Sequence, residues 1–165
     1  MNRTYTREQF METARKLRDK IPNISISTDV IVGFPGEEDE DYLDTLDVLE
    51  RVRFDLLFGF IYSKRKGTRA AEMEGQVPED IKSARLSRLL RMQDGISYER
   101  NEAFLGKTLR VLVTEAECRE GESLYRGKAE NQKTVHFTGE NITVGNFYDV
   151  KINKIQAFDL FGERA

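Results

Sequence analysis

The sequence predicts a mixed α/β segment followed by an all-β segment, and two observations carry that reading. Up to about residue 104, apolar positions at helical spacing alternate with short apolar runs, the βαβ rhythm of a parallel sheet with crossover helices. From about residue 105, short alternating runs are punctuated by Gly121, Gly127, Gly139, Gly145 and Gly162, which suggests a small β-barrel of about 60 residues. The division is therefore drawn at 1–104 and 105–165.

Each element has a local reason. Thr6 with Gln9 three residues on is a capping-box pattern, and Phe10, Ala14, Leu17 and Ile21 recur at helical spacing until Pro22. Ile24 to Ser27 alternates and Val30-Ile31-Val32 is continuously apolar, which reads as a strand that becomes buried on both faces. Gly33-Phe34-Pro35-Gly36 breaks it, and a run of five acids, Glu37 to Asp41, leads into an amphipathic helix marked by Tyr42, Leu43, Leu46, Leu49 and Val52. Phe54 to Tyr62 is a second apolar strand. Pro78 suits the first turn of a long helix that runs to about Phe104, before Gly106. Leu109–Val113, Val135–Phe137, Phe147–Ile152 and Ile155–Leu160 supply the barrel strands.

Composition narrows the function. No apolar run approaches the roughly 20 residues that span a bilayer, and the polar start lacks the apolar stretch of a signal peptide, so the expected location is cytoplasmic. A single cysteine, Cys118, in a polar stretch, excludes an internal disulfide and any cluster built from this chain's own thiolates. Residues 1–105 hold 17 Lys/Arg against 20 Asp/Glu, and the remainder is neutral. Any RNA site is therefore a local patch rather than a global basic field.

Four features could carry chemistry. The Gly33 turn lies at the carboxyl end of a parallel strand, where α/β sheets bind ligands; it reads equally as a plain strand–helix turn. The acids after it complement a helix N-terminus and would repel a phosphate. Lys64, Arg65, Lys66 and Arg69 follow the next strand on the same rim, where an arginine can clamp a carboxylate or phosphate; a solvated basic loop is the plainer alternative. Arg85, Arg88 and Arg91 step along the long helix as a solvated face whose stems cover apolar surface, with a phosphate-contact ridge as the minority reading. In the barrel, Lys107, Arg110, Arg126, Lys128 and Lys133 interleave with Tyr125, His136 and Phe137, a mixture suited to backbone tracking and base stacking on RNA, although some of these aromatics must be core.

Thr28 to Glu37, Tyr62 to Thr68 with Ala70-Ala71, the opening Met1 to Thr6, and Gln76-Val77-Pro78 together resemble the radical S-adenosylmethionine methylthiotransferases. The tail, with Val135-His136-Phe137, Gly145 and Leu160 to Glu163, is similar to a TRAM domain, an RNA-binding β-barrel. The resemblance covers essentially the whole chain in order. Arg65 is similar to the tRNA-modifying branch, whereas the branch modifying a ribosomal protein has glutamate there. The Val-His-Phe tail is similar to the enzymes that methylthiolate isopentenyladenosine; a sister branch acts on threonylcarbamoyladenosine. Lys66 departs from the usual proline, and Asp39 from the usual threonine or glutamate.

The resemblance implies the C-terminal portion of a partial (βα)6, TIM-like barrel over 1–104 and an OB-like TRAM barrel over 105–165. It implies a tRNA anticodon stem-loop as partner, with S-adenosylmethionine and two [4Fe–4S] clusters as cofactors. The family's cluster cysteines have no counterpart here, so a missing N-terminal part of the same enzyme is a further implied partner, and this chain carries no metal ligand or catalytic residue of its own. Asp29, Ile31, Gly33 and Arg65 would bind S-adenosylmethionine, Ile31 packing on the adenine and Arg65 meeting the cofactor carboxylate or a substrate phosphate. Lys107, Arg110, Arg126, Lys128, Lys133, His136 and Phe137 would bind RNA. An isolated RNA-binding module without catalysis is the alternative from a different class. An α/β enzyme with its own acid–base site is weak, because the sole histidine falls in the barrel.

Overall fold

A computed structural model describes residues 4–119 and 122–165, with the side chains of residues 118–122 outside the description; Met1 to Arg3, Gly121 and the Cys118 thiol thus lie outside the described residues. The chain forms two compact units, Met1–Ile96 and Ser97–Ala165.

In the first unit, helix α1 (Arg7–Lys20) begins at the capping box: the Gln9 N–H donates to Thr6 Oγ1 at 3.3 Å and the Thr6 N–H to Gln9 Oε1 at 3.0 Å. Strands β1 (Ser27–Val32) and β2 (Leu56–Ile61) pair in parallel, from Ser27 opposite Leu56 to Val32 opposite Ile61. Helix α2 (Asp39–Val52) is their crossover and buries Tyr42, Leu46, Leu49 and Val52 at helical spacing. A short helix α3 (Arg69–Glu72) precedes α4 (Glu79–Glu102), whose residues are divided between the two units. The β1 strand starts later than its apolar pattern suggests. Asp55 is buried before β2, and its carboxylate accepts the Ile26 N–H at 3.0 Å, so a side chain serves that donor where a ladder bond would otherwise form.

Val32, Leu46, Leu49, Phe54, Leu57, Leu89 and Ile96 form the core of this unit, with Val30 and Ile61 packed against it. The expectation of a strand buried on both faces is corrected. The helices cover only the face of Val30, Val32, Leu57 and Ile61, and the alternate residues Asp29, Ile31, Phe58 and Phe60 are exposed. Both strands are also edges, because the sheet has two strands. An apolar face beside unpaired edges invites pairing with another chain. Light scattering is therefore expected to show self-association as concentration rises; a monodisperse monomer at high concentration would refute this.

The second unit is a closed five-stranded barrel in the order β3-β4-β5-β7-β6, formed by β3 (Thr108–Arg119), β4 (Glu122–Ala129), β5 (Thr134–Thr138), β6 (Phe147–Ile155) and β7 (Asp159–Arg164). The β5–β7 pair is parallel and the others antiparallel. This is an OB-like barrel. Val111, Val113, Val135, Phe137, Val150, Ile152 and Leu160 fill it. Register shifts in β3 between Val113 and Glu115 and in β6 between Ile152 and Lys154 bend those strands so that the sheet closes. Each lies opposite a glycine whose missing side chain makes room: a Cβ at Gly127 would stand 2.3 Å from the Leu112 carbonyl oxygen, and one at Gly162 2.2 Å from that of Lys151. Sequence pattern did not reveal β4, because its inward positions include Gly127 and Ala129, which carry little apolar signal.

Candidate functional site

The rim of the first unit is built where β1 ends. Gly33 takes a left-handed turn, with φ +72°, and its N–H donates to both oxygens of the Glu37 carboxylate at 2.9 Å. The same carboxylate accepts from Arg85 Nη1 at 2.7 Å, and Arg85 Nη2 donates to Asp39 Oδ1 at 2.7 Å. Arg85 is therefore buried and paired, a correction to its place on a solvated helix face. Burial alone would lower the pKa of its guanidinium; the two carboxylates outweigh that and raise it. The Tyr42 hydroxyl donates to the Arg85 carbonyl at 2.9 Å, and burial pushes the phenol pKa up. Two of the acids near the start of α2 thus tie the rim to α4.

Lys82 completes the rim. It is buried, its Nζ donates to Glu79 Oε1 at 2.8 Å and to the Tyr62 carbonyl at 3.4 Å, and its stem fills the space beside Gly33. A Cβ on Gly33 would stand 2.3 Å from Lys82 Cγ. Position 33 therefore needs glycine for reasons internal to the fold.

Of the proposed cofactor residues, Asp29 and Ile31 share the open sheet face, opposite Phe58 and Phe60 in the register, and Gly33 follows at the end of β1. Arg65 is exposed in a turn where the Thr68 N–H and hydroxyl both donate to its carbonyl, at 3.2 and 2.8 Å. Among the described residues no ion pair engages Arg65, Lys64, Lys66 or Arg69. Ile31 and Phe60 offer an apolar surface that fits a purine face, and Arg65 a cation that fits a carboxylate. The iron–sulfur clusters do not fit: the chain has one cysteine, and among the described residues no group of His, Cys, Asp and Glu could hold a metal ion.

On the barrel, Lys107, Arg110, Arg126 and Lys128 are exposed and His136 is half-buried. Lys133 and Phe137 are corrected: they are 7% and 1% exposed, Phe137 packing inside against Tyr125, so neither presents a surface to RNA. Arg126 is engaged by Glu115, whose hydrogen bond and charge raise the guanidinium pKa. The His136 ring stacks on Phe161 at 5.1 Å, with Nε2 3.5 Å from Asp159 Oδ1, and Lys154 lies over the same Phe161 ring at 5.5 Å. Arg110 lies over the Phe147 ring at 4.8 Å. Sequence reasoning overlooked Phe147, Lys154, Phe161, Lys82 and the role of Glu37. The strand alternation of β6 and β7 would have turned Phe147 and Phe161 outward once their partners were known.

Residues 1–49 match the model of the radical SAM superfamily, and residues 102–164 that of the TRAM domain. The chain is similar to proteins named tRNA-2-methylthio-N(6)-dimethylallyladenosine synthase. That of Acetivibrio thermocellus is 46% identical over 162 residues, 98% of this chain and 34% of that protein. Those of Thermoanaerobacter sp. strain X514 and Clostridium novyi strain NT are 45% and 44% identical over 163 residues, 99% of this chain and 34% and 36% of theirs. The chain thus spans about a third of the length of these relatives. Among the described residues no helix is long and apolar enough to cross a membrane. The radical SAM match is followed in order by the TRAM match, and the relatives align over nearly the whole length of the chain.

Proposed function

We propose that this chain is part of a cytoplasmic tRNA methylthiotransferase that modifies carbon 2 of isopentenyladenosine beside the anticodon. The observation that carries the reading is identity of 46% across nearly the whole chain to a protein named for that product. The first unit, up to about residue 104, is the closing portion of a partial (βα)6 barrel. Its two parallel strands with helices on one face only, and an open face bearing Ile31, Phe58 and Phe60, support that reading. The remainder is the RNA-binding TRAM barrel, supported by exposed Lys107, Arg110 and Lys128 on an OB-like scaffold. The two [4Fe–4S] clusters of the whole enzyme are held by a part of it outside these 165 residues.

When bound, S-adenosylmethionine supplies the radical precursor and the transferred methyl group. The residues of this chain bind and orient. Ile31 would hold the adenine, with Asp29 on the same sheet face and Gly33 at the end of the strand, and Arg65 would bind the cofactor carboxylate or a substrate phosphate. Glu37, Arg85 and Lys82 hold the rim in shape.

Disrupting the gene for this chain is expected to remove the 2-methylthio group from isopentenyladenosine in hydrolysed cellular tRNA, read by mass spectrometry. Loss of the group from threonylcarbamoyladenosine instead would assign the sister reaction. An unchanged nucleoside profile would leave the RNA-binding module as the better reading.

A further inference from the structure

We propose that a groove on the outer wall of the barrel, between Phe147, Arg110 and Lys128, holds one unpaired nucleotide of a bound RNA, its base stacked on Phe147. The proposal rests on the RNA-binding reading above and names where and how that binding occurs.

Three strands build the groove. Leu112 of β3 stands opposite Phe147 of β6 on one side and Lys128 of β4 on the other, so the three side chains form one cross-strand row. Arg110, two residues before Leu112 and hence on the same face, lays its guanidinium on the Phe147 ring instead of pairing with its cross-strand neighbour Asp149. The groove has a volume of about 480 Å³, in the range of small-ligand clefts. Phe147 is 53% exposed despite the arginine, so ring surface remains for a base. Lys128 Nζ, fixed by Thr134 Oγ1 at 2.9 Å, supplies a cation for the backbone phosphate. Glu130 on the same wall keeps phosphate from that side and can accept a hydrogen bond from a base amine or ribose hydroxyl.

The other aromatics of the barrel are less suited. Phe137 is inside. Phe161 is flanked by His136 from β5 and Lys154 from β6, the strands on either side of β7, so both approaches to its ring are taken. Phe158 is 52% exposed, but among the described residues no cation stacks on it. A base on Phe147 gains both the ring and the adjacent positive charge.

The test uses the whole chain and a single-stranded oligoribonucleotide carrying one 2-aminopurine, whose fluorescence is quenched by stacking. The expected result is binding with quenching. Phe147→Ala should weaken it about tenfold and remove the quench, while Phe147→Tyr keeps both. Phe158→Ala, at an equally exposed ring, should change neither. Lys128→Ala should reduce the slope of log affinity against log salt by about one. Arg110→Ala repeats the loss without touching the ring, so the result does not hang on one variant's folding. If the wild type binds with Phe147→Ala and Arg110→Ala indistinguishable from it, the groove assignment falls and RNA binding stands. If the wild type binds no RNA, the RNA-binding reading falls and the groove with it.

Discussion

Replacing Gly33 with alanine is expected to destabilise the first unit by about 2–5 kcal/mol, from a left-handed backbone penalty of about 1–2 kcal/mol and overpacking of about 1–3 kcal/mol. The backbone penalty follows from φ +72°, and the overpacking from a new Cβ at 2.3 Å from Lys82 Cγ. The stem cannot swing aside freely, because Nζ is held by Glu79 and the Tyr62 carbonyl. Gly36→Ala is the internal comparison: its φ is +80°, but nothing lies within 4 Å of the added carbon, so only the backbone penalty applies. Urea unfolding of both variants should place Gly33→Ala well below Gly36→Ala. Adding Lys82→Ala should recover part of the loss at position 33 and none at position 36. Equal losses for the two glycines would show that the contact with Lys82 does not matter. A fall in cofactor affinity on substitution of Gly33 therefore reports the fold before it reports the cofactor.

Arg85→Ala is the second large effect. The guanidinium is 9% exposed and the Glu37 side chain 13%, so removing the cation strands a nearly buried carboxylate, a change that costs about 3–5 kcal/mol. The companion contact with Asp39 contributes far less, because that carboxylate is 91% exposed and screened by water. Asp39→Asn should therefore cost less than about 1 kcal/mol. Glu37→Gln on the Arg85→Ala background should restore stability, since an amide is cheaper to bury than a charge. Chemical denaturation of the two single variants and the double variant checks the order. Equal effects of Asp39→Asn and Arg85→Ala would show that the inner pair carries no special weight.

These two predictions mark where the sequence was legible and where it was not. The capping box at Thr6, the βαβ rhythm and the long helix after Pro78 were readable because each is set by neighbours a few residues apart. The rim was not. Arg85 shares its helical spacing with exposed Arg88 and Arg91, and only the approach of α2 turns it inward. Lys82 looks like any surface lysine until Gly33 is brought against its stem. In the barrel, alternation sets Val135 and Phe137 on the side opposite His136, but does not say which side is inside. That depends on closure, which depends on glycines and bulges in other strands. The open face of β1 escaped notice for a related reason: a continuous apolar run reads as buried, whatever number of strands is there to bury it.

The groove beside Phe147 has a history in time as well as a place in space. Its walls come from β3, β4 and β6, and Leu112 meets Phe147 only after the long intervening segment has looped back. Contacts of that separation are slow to form, because chain entropy is lost before they reward it. On the proposed reading, affinity for RNA should therefore emerge with the late phase of refolding, after hairpin β3–β4 is in place. By mass action the reverse also holds: an oligonucleotide seated on that row joins β6 to β3 and β4, so the barrel should melt at a temperature that climbs with RNA concentration.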